Sequence, residues 1–197
     1  MLGRRVIIEA FLRWIETAKT GDRARAANAL GRAYLQSEMS ADERAAAEMA
    51  MTFLLDDPSP RVRLALAEAI AWSPDAPRSL ILSLAEDQPE VACHAVTCSP
   101  LLSDADLVDL AARGNGATRM LIAARAHVTR PVSAALAEVG DEEELLCLLE
   151  NDGAAISSQS LKRIAERLGD NCDIRNLLLD RGDLPADARQ LLTQHVS

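Results

Sequence analysis

The chain has 197 residues, enough for one large domain or two small ones with a substantial core, and it is 49% hydrophobic and 26% charged. Aromatics make up only 3%, and with Ala, Leu, Glu and Arg dominant the composition favours helix over sheet. A net charge of −9 opposes general nucleic-acid binding, which needs a basic footprint, and no apolar run approaches the roughly 20 residues that span a bilayer.

In chain order, the pattern predicts two leading helices, 3–19 and 22–36, that form an N-terminal helical cap over residues 1–38. Residues 1–36 hold seven bases, among them Arg4, Arg5 and Arg25, against three acids, a local net of +4 that leaves −13 for the remainder. Charges so divided can steer a charged partner or a second copy of the chain. Beyond the cap an internal repeat sets in. An apolar residue followed by Ser, Thr or Pro recurs at Met39-Ser40, Ala76-Pro77, Leu102-Ser103, Val128-Thr129, Ile156-Ser157 and Leu184-Pro185, at intervals of 37, 26, 26, 28 and 28 residues. Ser and Thr cap the first free helix N–H groups, proline suits the first turn, and the preceding apolar residue staples the entry. A second punctuation falls between these starts, as in Asp56-Asp57-Pro58-Ser59-Pro60, Glu86-Asp87-Gln88-Pro89 and Gly114-Asn115-Gly116.

Each unit therefore reads as helix A, turn, helix B, turn. The expected pairs are 41–56 with 60–71, 77–86 with 89–97, 103–113 with 116–126, 129–138 with 141–150 and 157–168 with 172–181, followed by a last helix from 185. No segment alternates with period two over a useful length, so no strands are expected. The helices are amphipathic. On 60–71, Val62, Leu66, Ala69 and Ile70 share one face, which leaves Arg61, Arg63 and Glu68 outward. On 116–126, Leu121 and Ile122 are expected inside. One hairpin cannot bury such a stripe, but stacked hairpins can. The expected fold is all-α, an α-solenoid of short hairpins running as one continuous domain over 39–197.

Chemistry-bearing constellations are sparse. Cys93, Cys98, Cys147 and Cys172 form no Cys-x-x-Cys, and with His94, His127 and His195 they give no zinc spacing. Glu142-Glu143-Glu144 behind Asp141 reads as the capped first turn of a helix. Arg181-Gly182-Asp183 reads as a turn after a helix end. No catalytic residue, metal ligand or cofactor site is assigned, and free thiols with no signal peptide point to the cytoplasm.

Several stretches resemble an alphaproteobacterial family known as domain of unknown function 2336. They are Phe11-Leu12-Arg13-Trp14, the run Leu54 to Arg63, the run Leu84 to Ala92, Ser99-Pro100-Leu101-Leu102-Ser103-Asp104, and Arg181-Gly182-Asp183-Leu184-Pro185. The resemblance implies HEAT-like helical repeats in a bacterial cytoplasm and brings no catalytic residues.

The leading expectation is a non-enzymatic protein-interaction or regulatory scaffold module that binds a protein through the face of its B helices. Candidate contacts are Arg61, Arg63, His94, Arg119 and Arg175. Two alternatives stay open: a HEAT-like nucleic-acid-binding or DNA-repair protein, and a self-association domain of a larger protein. The acidic repeats disfavour nucleic acid, and membrane insertion is not expected.

Overall fold

The computed structural model describes residues 10–11 and 13–194. The first part of the expected helix 3–19, with Arg4 and Arg5, and His195 lie outside the described residues. Residues 10–17 are helical apart from the undescribed position 12. Twelve further helices follow: α1 (Thr20–Gln36), α2 (Ala41–Leu55), α3 (Pro60–Ile70), α4 (Arg78–Ala85), α5 (Pro89–Cys98), α6 (Asp104–Arg113), α7 (Gly116–Ala123), α8 (Arg130–Val139), α9 (Glu142–Glu150), α10 (Ser158–Leu168), α11 (Cys172–Asp180) and α12 (Ala186–Gln194). Among the described residues there is no strand; one isolated bridge joins Val128 to Ala154. The protein is all-helical, as its composition predicts.

The starts are set by local chemistry. Ser40, Pro77, Ser103, Thr129 and Ser157 each occupy an N-cap, one residue ahead of a helix. Ser40 Oγ accepts from the Glu43 N–H while the Ser40 N–H donates to the Glu43 carboxylate at 2.9 Å. Ser103 and Asp106 repeat this reciprocal pair at 3.3 and 2.7 Å. The preceding apolar residues Ala76, Leu102, Val128, Ile156 and Leu184 are all buried. Asn115 and Asn171 cap α7 and α11, and proline opens α3 and α5.

The chain divides into two compact units, Met1–Leu101 and Leu102–Ser197. In the first, α3 packs on both α1 and α5 in one layer, while α2 packs on α4 in the other. In the second, α6, α8, α10 and α12 pack in succession, and α7, α9 and α11 do the same. Each unit is thus two layers of alternating helices, the order that stacked hairpins produce. Val62, Leu66 and Ile70 of α3 and Leu136, Leu145, Leu148, Leu161 and Ile164 of the second unit are fully buried along these stripes.

The α1–α3 contact depends on one glycine. A Cβ on Gly31 would stand 2.8 Å from both Ala69 Cβ and Ile70 Cγ2. Gly31→Val should therefore force the two helices apart and cost about 1–3 kcal/mol, read as a lowered denaturation midpoint with the helical signal retained below it.

Two sequence expectations shift. The helix expected at 116–126 stops at Ala123, because Asn151 Nδ2 donates to the carbonyls of Ala123 and Arg125, both at 2.8 Å. Val128 then pairs with the loop after α9, its N–H reaching the Gly153 carbonyl at 3.1 Å and its carbonyl accepting from Ala155 at 2.8 Å. Leu121, expected inside, is only half-buried. The buried stripe of α7 runs through Ile122 and Ala123, and Ile122 lies about 100° around the helix from Leu121.

Candidate functional site

One arginine position recurs on α1, α3, α7 and α11. Arg23 on α1 donates to the Ala18 carbonyl at 2.8 Å, Arg63 on α3 to the Asp57 carbonyl at 2.6 Å, Arg119 on α7 to the Gly114 carbonyl at 2.8 Å, and Arg175 on α11 to the Gly169 carbonyl at 3.1 Å. Each time the guanidinium caps the end of the preceding helix, where the last carbonyls lack intrahelical donors. Arg23 does so for the helix whose described residues end at Thr17.

Three of these arginines also reach forward to the next hairpin. Arg23 grips Asp57 with two bonds of 2.7 and 3.0 Å. Arg63 grips Asp87 with two of 2.5 and 2.9 Å. Arg119 approaches Glu144 at 3.4 Å. Burial pushes the Asp57 carboxyl up, but the Arg23 hydrogen bonds, the Ser59 N–H and the charges of Arg23 and Arg63 outweigh it and hold the group below its ordinary value. Glu144 also accepts from the Asp141 N–H at 3.0 Å. The acidic run 141–144 is therefore a helix start, as its position predicts, with its last member buried against Arg119.

This network decides what the candidate residues can offer. Arg63, expected outward, has a side chain only 15% exposed. Arg119 is 14% exposed, and Arg175 spends one nitrogen on the carbonyls of Gly169 and Asp170. Arg61 on α3 is exposed, and His94 on α5 lies 3.9 Å from Glu68 on α3. Arg61, Arg63 and His94 thus share the α1–α3–α5 layer of the first unit; Arg119 and Arg175 belong to the second. Composition alone could not separate Arg61 from Arg63. The separating signal is the position four residues after the helix N-cap, where Arg63 follows Ser59, Arg119 follows Asn115 and Arg175 follows Asn171.

A groove of about 680 Å³ lies between α1 and α3. Each wall is one helical face: Ala24, Asn28 and Ala33 with Arg25 and Arg32 on α1, and Ala65 with Arg61 and Glu68 on α3. Asn28 Nδ2 donates to the Ala65 carbonyl at 3.1 Å, tying the walls together. Arg25 pairs with Asp22. Arg32 and Arg61 are exposed and have no hydrogen-bond or ion-pair partner among the described residues. Sequence reading missed Arg25 and Arg32 as groove residues, because the packing of α1 on α3 leaves no local signal in the sequence.

The second unit has a shallower groove of about 530 Å³ between α7 and α9, lined by Met120, Leu146, Cys147, Glu143 and Glu150. There burial and the Glu150 charge push the Cys147 thiol up. The Arg181-Gly182-Asp183 turn closes on itself, with two bonds of 2.9 Å from Arg181 to Asp183. Among the described residues no group of three His, Cys, Asp or Glu side chains is placed to hold a metal, and no helix is long and apolar enough to cross a membrane.

The chain matches no curated protein and no solved structure. A family model described as "Uncharacterised protein conserved in bacteria (DUF2336)" matches residues 91–197. The Ser99 to Asp104 and Arg181 to Pro185 stretches fall inside this match, the run Leu84 to Ala92 straddles its start, and the earlier stretches fall outside it. The match spans more than half of the sequence, and the chain therefore belongs to this bacterial family of uncharacterised proteins.

Proposed function

We propose that the chain is a non-enzymatic protein-interaction module of the bacterial cytoplasm, built from HEAT-like helical hairpins, whose α1–α3–α5 layer docks a protein partner. One observation carries this reading. Arg23, Arg63, Arg119 and Arg175 are committed to carbonyls or carboxylates of the fold, whereas Arg32 and Arg61 stand exposed and unpaired beside a groove. Arginine is enriched at protein interfaces, where its planar fork pairs with carboxylates and backbone oxygens. Alternate packing of short hairpins, which extends one helix layer as a continuous surface, supports the HEAT-like reading.

The test is retention of proteins from bacterial lysate on the immobilised chain. Arg32→Glu with Arg61→Glu should remove proteins that the wild type retains, at an unchanged melting temperature. Arg130→Glu, an exposed change in the second unit, should leave retention intact. A retained set unaffected by the groove pair would sink the assignment of this layer.

A further inference from the structure

We infer that the α1–α3 groove takes an acidic helical segment of another protein, with carboxylates spaced about two turns apart; this rests on the protein-docking reading above. Arg25 and Arg32 lie seven residues apart on one face of α1, a rise of about 10 Å with almost no rotation. Arg61 stands on the opposite wall. The groove is bordered by three arginines and one glutamate, Glu68, in a chain of net charge −9; Arg25 is shared with Asp22, and Arg32 and Arg61 carry the unpaired positive charge. This local reversal of sign favours an anionic occupant.

The walls narrow the choice further. The uncharged lining is mostly short: Ala24, Ala29, Ala33 and Ala65 contribute methyl groups, with Asn28, Gln36 and Leu64 beside them, a surface that the apolar face of a helix can cover. The α1 wall runs from Gly21 to Gln36, about 24 Å, the length of a helix of about 16 residues. Nucleic acid fits less well. The groove residues include no aromatic on which a base could stack, and the acidic remainder of the chain repels a polyphosphate that continues past the groove.

The experiment uses the full chain and a labelled, alanine-based helical peptide about 16 residues long that carries glutamates seven residues apart. Its controls are the same peptide with glutamines and an oligothymidylate of equal charge. Fluorescence anisotropy should show saturable binding of the glutamate peptide, at least about tenfold tighter than the glutamine form, and lost in about 1 M salt. Arg32→Glu with Arg61→Glu should weaken binding by a similar factor, whereas Arg130→Glu should not. Equal binding of the two peptides, no binding of the glutamate peptide, or an unchanged affinity in the groove variant overturns the inference. Tighter binding of the oligothymidylate overturns it in favour of nucleic acid. Retention of lysate proteins that depends on Arg32 and Arg61, combined with no glutamate-peptide binding, would overturn the acidic occupant while leaving the docking layer standing.

Discussion

Asp57→Ala is expected to destabilise the fold by about 3 kcal/mol, measured as a shift in the denaturant midpoint. The Asp57 side chain is 1% exposed and that of Arg23 is 13% exposed. Removing the carboxylate leaves a mostly buried guanidinium without its partner and frees the Ser59 N–H that Asp57 Oδ1 receives at 2.9 Å. The solvent edge of Arg23 and its bond to the Ala18 carbonyl keep the cost at the low end for a broken buried pair. The pH dependence has a definite sign. Folding holds the Asp57 carboxyl below its ordinary value of 3.8. Its contribution is therefore complete above that pH and fades as the pH falls from there through the folded value. Asp57→Ala should accordingly show a shallower loss of stability on the acid side than wild type. Equal midpoints at neutral pH, or parallel acid limbs, would remove this pair as a structural tie.

Ile122→Ala should cost about 3 kcal/mol, and Leu121→Ala distinctly less. Ile122 is fully buried in the second unit, where α7 packs on α6, α8 and α9, whereas Leu121 keeps contact with water. The two changes delete similar side chains from adjacent positions. Their difference therefore reads the orientation of α7 directly, by chemical denaturation of both variants in parallel. A larger loss at Leu121 would reverse the assignment of the buried face.

The hairpin boundaries were legible because they rest on local chemistry. Ser40 with Glu43, Ser103 with Asp106, Asn115 and Asn171 each satisfy helix N–H groups within three residues of their own position. The apolar residue before each cap was readable for the same reason. What stayed hidden depends on partners a whole hairpin away. Arg63 meets Asp87, 24 residues on, and Arg119 meets Glu144, 25 residues on. Helical periodicity alone put Arg63 outside with Arg61. The shortened end of α7 has the same kind of cause, since the amide that terminates it belongs to Asn151, 28 residues beyond Ala123. The groove was legible only in part: Arg61 stood out as a cation on an exposed face, but its neighbours Arg25 and Arg32 sit on a helix whose register against α3 is fixed by Gly31.

The forward-reaching arginines also constrain how such a chain changes length over evolutionary time. Arg23 with Asp57 and Arg63 with Asp87 each join a donor in one hairpin to an acceptor in the next, and the hairpin that ends at α3 contributes one of each, Asp57 and Arg63. A duplicated copy of that hairpin would arrive with both halves, accept from the neighbour before it and donate to the neighbour after it. Inserting or deleting a single helix would place a guanidinium opposite the wrong layer and strand a buried carboxylate, a cost few small proteins can absorb. Growth by whole hairpins is therefore close to neutral and growth by halves is not, so relatives of different length should differ by intact hairpins.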